Sequence, residues 1–63
     1  MTDAERVDAL LDLVDPDRTE DRARSARLMV LGLAERTGRG HRPTIAGWNL
    51  LGDRGRAFRS DQG

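Results

Sequence analysis

The first fourteen residues set apolar side chains at helical spacing against a background of acids. Ala4, Val7, Leu11 and Val14 recur at intervals of three and four, and Leu10 widens the stripe. Asp3, Glu5, Asp8 and Asp12 fall on the other faces. Thr2 followed by Glu5 has the spacing of a capping box, in which each side chain accepts from the other residue's backbone N–H. The pattern predicts an amphipathic helix over residues 3–14.

Asp15-Pro16-Asp17 interrupts that pattern and can restart it. Pro16 disfavours helical geometry at Asp15, yet Asp15 can cap a new helix with Pro16 at its first position, and Thr19 is an alternative cap. Ala23, Ala26, Val30, Leu33 and Thr37 then repeat at helical intervals. Glu20 precedes Arg24 by four, the favourable orientation for an ion pair, and Gly38 stands where a left-handed C-cap belongs. A second helix is expected over residues 17–37. Its stretch from Leu28 to Ala34 is apolar nearly all round, which demands cover on several sides, from a third helix or from another chain. A buried strand is the competing reading of so short a run.

Residues 38–43, Gly-Arg-Gly-His-Arg-Pro, read as a loop. Thr44 can cap a third helix whose stripe joins Ile45, Trp48, Leu51, Gly55 and Phe58. Glycines 47, 52 and 55 each cost about 1 kcal/mol relative to Ala in a helix interior, so this helix is expected over 44–51, ending at Gly52 or running on to 58. Residues 60–63 read as a polar tail. The fold class expected is all-α. It would be one domain over residues 1–59, built from two well-defined helices and a shorter, Gly-interrupted third, with dimerisation as a route to a complete core.

Length and composition sharpen that picture. A chain of 63 residues buries only about 60% of the surface its unfolded form exposes. Disulfides, a metal or a partner subunit usually make up the difference. Cysteine is absent and histidine occurs once, so disulfides are excluded and a zinc site lacks ligands; tight helix packing or association is left, and homo-oligomerisation is a real option. The N-terminus is acidic and polar, without a leader pattern. The longest apolar run falls far short of the roughly 20 residues that span a bilayer. A soluble, cytoplasmic protein is expected.

Formal charge is balanced overall but not along the chain. Residues 1–21 hold eight acids and two Arg, and residues 22–63 hold nine Arg and three acids. All eleven basic residues are Arg, the side chain whose planar fork suits carboxylate and phosphate.

Candidate chemistry is sparse. There is no Cys, Tyr or Lys, the serines are Ser25 and Ser60, and the single histidine, His41, sits in the expected loop. A general base needs a positioned partner in a shaped pocket, so His41 reads as a solvated loop residue and the chain as non-catalytic, without cofactor or metal. A calcium loop beginning at Asp15 would need Gly and Glu where Glu20 and Ala26 stand, so capping explains those acids better. The preferred reading is a small regulatory or accessory protein that binds another protein, as a subunit of an assembly or an inhibitor. Trp48, Leu51 and Phe58 would supply apolar anchors within a rim of Arg54, Arg56 and Arg59; the competing reading puts the two aromatics in the core. The alternative is a dimeric, helix-turn-helix-like regulator that places Arg39, Arg42, Arg54 and Arg56 on nucleic-acid phosphates. Ala34 and Gly38 fit that motif, but Ile45 and Trp48 come one position late.

Overall fold

A computed structural model of the chain describes residues 1–59, with the side chain of Arg59 outside that description. The polar tail expected at 60–63 lies outside the described residues. The elements are α1 (Asp3–Val14), α2 (Arg22–Val30), β1 (Ala34–Thr37), β2 (Gly40–Pro43) and α3 (Ile45–Leu51), then a 3-10 turn (Gly52–Gly55) and a last short helix, α4 (Arg56–Arg59). The two strands form an antiparallel hairpin, so the fold is α+β and the all-α expectation is corrected.

Helix α1 has the expected bounds and the expected cap. The Thr2 hydroxyl accepts from the Glu5 N–H at 3.2 Å, and the Glu5 carboxylate accepts from the Thr2 N–H at 3.1 Å. Its buried residues are Val7, Ala9 and Leu10, while Ala4 is exposed. Between α1 and α2, Asp15-Pro16-Asp17-Arg18 forms a turn rather than a helix start. The Asp15 carboxylate accepts from the Asp17 N–H at 2.9 Å, and its carbonyl accepts from the Arg18 N–H at 3.1 Å. With Asp15 spent in that turn, Asp21 caps α2, accepting from the Ala23 and Arg24 N–H groups.

The second helix is less than half the predicted span because Gly32 stops it. Gly32 takes a left-handed conformation (φ 76°), the Leu33 N–H donates to the Leu28 carbonyl at 2.8 Å, and the Gly32 N–H donates to the Met29 carbonyl at 3.0 Å. This pair of bonds is a Schellman closure, with Leu33 carried back toward the core beside Leu28. The chain then leaves as β1, returns through Gly38–Arg39, and runs back as β2. The register pairs Ala34 with Pro43, Glu35 with Arg42, Arg36 with His41 and Thr37 with Gly40. Gly38 is therefore a hairpin-turn residue and not a helix cap, and residues 40–43 are strand and not loop.

Thr44 caps α3 as expected, accepting from the Gly47 N–H at 3.2 Å. It also stitches α3 to the end of α2. The Thr44 hydroxyl donates to the Gly32 carbonyl at 2.6 Å, and the Thr44 N–H donates to the Leu33 carbonyl at 3.0 Å. Helix α3 ends at Leu51, before Gly52, as the glycine spacing predicts.

The core joins Val7, Ala9 and Leu10 of α1 to Leu28 of α2, Ala34 of β1, and Trp48 and Leu51 of α3. Leu33, Leu50 and Phe58 pack against it from its margin. Helix α1 is the hub, packed against α2, β2 and α3. The predicted stripe of α2 does not face this core: Ala23, Ala26 and Val30 are exposed, and Ser25 and Leu28 are buried instead.

Gly47 fits only because it lacks a side chain. A Cβ there would collide with the Leu33 carbonyl oxygen and would lie 3.1 Å from Pro43 Cβ and 3.2 Å from Leu10 Cδ2. Gly47→Ala is expected to cost at least about 3 kcal/mol, at the upper end of overpacking penalties, and to lower the Tm by more than about 12 °C in a domain this small. Gly38→Ala meets nothing within 4 Å and is expected to stay within about 0.5 kcal/mol of the parent. Thermal unfolding followed by circular dichroism separates the two; equal melting of both variants would contradict the packing described.

Candidate functional site

The charged groups divide into those that build the fold and those left over. Asp8 and Asp12 on α1 receive Arg18 from the connecting turn and Arg24 from α2. Arg18 Nη2 lies 2.6 Å from Asp8 Oδ1 and its Nε 3.4 Å from Asp12 Oδ1; Arg24 Nη2 lies 2.7 Å from Asp8 Oδ2 and its Nη1 3.3 Å from Asp12 Oδ2. Both guanidinium groups also donate to α1 carbonyls, Arg18 to Asp8 and Arg24 to Glu5. Arg24 thus bonds to α1 and not to Glu20, the partner its spacing suggests. Glu20 instead meets His41, with Oε1 3.2 Å from Nδ1. His41 is a strand residue with its ring largely covered, which corrects the solvated-loop expectation. Arg6 pairs with Asp3, Arg42 with Glu35 across the hairpin, and Arg56 with Asp53. Among the described residues, Arg22, Arg27, Arg36, Arg39 and Arg54 have no ion pair.

The anchor surface expected at residues 48–59 does not form. Trp48 and Leu51 are 8% and 3% exposed and belong to the core, because α3 turns both toward α1. Phe58 is half-buried against that core. Arg54 and Arg56 are exposed on the 3-10 turn and α4, without the apolar centre they were to surround; the side chain of Arg59 lies outside the described residues. The four arginines of the nucleic-acid alternative are also separated. Arg39 lines a cleft at the hairpin tip, Arg42 a second beside the start of α3, Arg54 a third against α1, and Arg56 a fourth beside Asn49.

What the structure exposes is an apolar corner. Val30 is 88% exposed, Ile45 75%, Leu31 45% and Met29 40%. The Thr44 stitch brings the start of α3 to the end of α2, so Ile45 shares a cleft wall with Gly32, the residue after Leu31. Another, largely apolar cleft of about 320 Å³ is lined by Met1, Ala26, Arg27, Val30 and Leu31. The run Leu28–Ala34 signals that apolar excess in the sequence, but the helical stripe assigns Val30 to the wrong face. A third depression, about 500 Å³, lies between α2 and the hairpin tip and includes Arg22, Arg36, Arg39, Glu20 and His41. Arg22 and Arg36 are absent from the sequence-based site because only the hairpin brings them together.

Among the described residues, no group of three or more His, Cys, Asp or Glu side chains could hold a metal ion, and no helix is long and apolar enough to cross a membrane. No protein-family model, curated protein or solved structure matches the chain.

The α1 network carries a pH signature. Arg18 first, and then Arg24, holds the Asp8 carboxyl below its ordinary range through hydrogen bonds. The folded form therefore binds this proton less tightly than the unfolded chain. The stability it contributes is present above the unfolded carboxyl's pKa and is lost as pH falls through the lowered folded value. Asp8→Asn is expected to be less stable than the parent at neutral pH, with the gap closing as pH drops below about 4. Urea titrations across that range check this; a pH-independent gap would contradict it.

Proposed function

We propose that this chain is a small, non-catalytic binding module that docks on a protein partner through the apolar corner of Met29, Val30, Leu31 and Ile45. The observation that carries the reading is the exposure of Val30 and Ile45, 88% and 75%, where the buried apolar core numbers seven of the described residues. Met29, Val30 and Leu31 are consecutive, and Thr44 ties the start of α3, with Ile45, to the turn just after them; clustered exposed apolar side chains mark interaction surfaces more often than scattered ones. Arg27, without an ion pair among the described residues, stands at the rim of the same cleft. A partner with apolar side chains at the centre of its face and a carboxylate at the edge matches that arrangement. The cleft that Arg27 rims carries no carboxylate of its own among its lining residues, which favours a different protein as occupant over a second copy of the same cleft. The regulatory or accessory role expected from the sequence fits this reading, with the surface moved from residues 48–59 to the α2–α3 corner. The separation of Arg39, Arg42, Arg54 and Arg56 into four depressions gives a nucleic-acid strand no continuous track of cations.

Val30→Glu and Ile45→Glu change exposed side chains and should leave folding intact. Each is expected to weaken binding of the partner recovered with the tagged parent chain by at least about 30-fold, the effect of losing an interface hot spot. Arg54→Ala, outside the corner, is expected to bind as the parent does. Partner binding unchanged in both Glu variants would overturn the proposal. So would a stable parent dimer by light scattering that Val30→Glu dissociates, since the corner would then join two copies.

A further inference from the structure

Five arginines lack an ion pair among the described residues, and three of them, Arg22, Arg36 and Arg39, line one cleft. They come from separate stretches of chain: Arg22 from the first turn of α2, Arg36 from β1, and Arg39 from the hairpin turn. We propose that this cleft binds a small phosphorylated ligand carrying a di- or triphosphate, with Arg22, Arg36 and Arg39 on its phosphate oxygens. The three arginines lie outside the apolar corner, and Met29 alone of the corner residues borders this cleft.

Charge is the first argument. The one carboxylate in the lining, Glu20, is turned to His41 and forms no ion pair with Arg22, Arg36 or Arg39, so the three guanidinium groups outnumber it. Like charges gathered without a counterion repel, and a compact polyanion removes that repulsion while using the arginine forks for paired hydrogen bonds. Shape is the second. The cleft measures about 500 Å³, within the range of small-molecule sites. Ala26 and Met29 add apolar wall beside the arginines, suited to the organic part of such a ligand. Distribution is the third. The remaining unpaired arginines, Arg27 and Arg54, line other depressions, so the cations are concentrated at one point and not strung along a track. That favours a compact polyphosphate over a nucleic-acid backbone.

Tripolyphosphate titrated into the full chain at low salt, followed by amide chemical shifts, tests the proposal. The expected result is saturable one-to-one binding, with shifts centred on Arg22 and on residues 36–41. Arg36→Ala and Arg39→Ala are each expected to weaken it at least about tenfold, and Arg54→Ala to leave it unchanged. Circular dichroism confirms that the variants fold; among the described residues the Arg36 and Arg39 side chains make no ion pair whose loss would unfold the chain. Absence of saturable binding would overturn the proposal, as would equal weakening by Arg54→Ala, which would mark diffuse attraction. A single-stranded oligonucleotide binding more tightly than tripolyphosphate, with shifts extending to Arg42, Arg54 and Arg56, would also overturn it in favour of nucleic acid.

Discussion

At one corner of the molecule the Leu33 carbonyl is approached from two sides, by the Thr44 N–H, which donates to it at 3.0 Å, and by Gly47, whose missing side chain leaves it room. The Thr44 hydroxyl completes the joint by donating to the Gly32 carbonyl while accepting from the Gly47 N–H. Three consecutive elements are thereby fixed to one another: the end of α2, the base of the hairpin and the first turn of α3. The core forms behind this joint, with Leu10 and Leu28 fully buried. A buried carbonyl without its partner would carry a desolvation cost comparable to a lost hydrogen bond, so the joint is a condition for the rest of the packing.

The same joint explains why apolar surface is left outside. Gly32 turns the chain away from α2 just after Val30 and Leu31, and Thr44 starts α3 beside that turn with Ile45 pointing outward. A longer second helix could have rotated these side chains inward over further turns; a hairpin of eight strand residues cannot, since it fully buries only Ala34 and Pro43 at its base. On the far side of α2, Arg24 with Arg18 holds α1 through Asp8 and Asp12. Exposed ion pairs contribute little singly, but here they share two carboxylates and set how α2 lies on α1. Helix α2 is thus held by charge along one side and left apolar on the other.

Much of this was legible in the sequence, and the rest failed for definable reasons. The capping box at Thr2 and Glu5, the bounds of α1, the Thr44 cap and the end of α3 before Gly52 all follow from local chemistry, which acts within a few residues. The hairpin was hidden because Ala34-Glu35-Arg36-Thr37 and Gly40-His41-Arg42-Pro43 show no alternation of apolar and polar residues; a two-stranded ribbon that fully buries only Ala34 and Pro43 does not require one. Gly32 was the available signal. A glycine followed by leucine is the stop pattern of a Schellman closure, but its apolar neighbours disguised it as helix interior. The candidate sites shifted for the same reason: a continuous helix to residue 37 buries Val30 and keeps Arg22 far from Arg36, whereas the hairpin reverses both. Capping accounts for part of the acidic excess in residues 1–21, and Asp8 and Asp12 serve instead in ion pairs with Arg18 and Arg24.

The central claim is that the joint at Leu33, Thr44 and Gly47 presents Val30 and Ile45 to solvent while Leu10 and Leu28 stay inside. Paramagnetic broadening of methyl signals by a soluble, uncharged probe tests it most directly, at a dilution where light scattering gives the monomer mass. The account predicts strong broadening of the Val30 and Ile45 methyls and little at Leu10 and Leu28. Equal protection of all four in the monomer would contradict it, because the chain would then be covering its own corner.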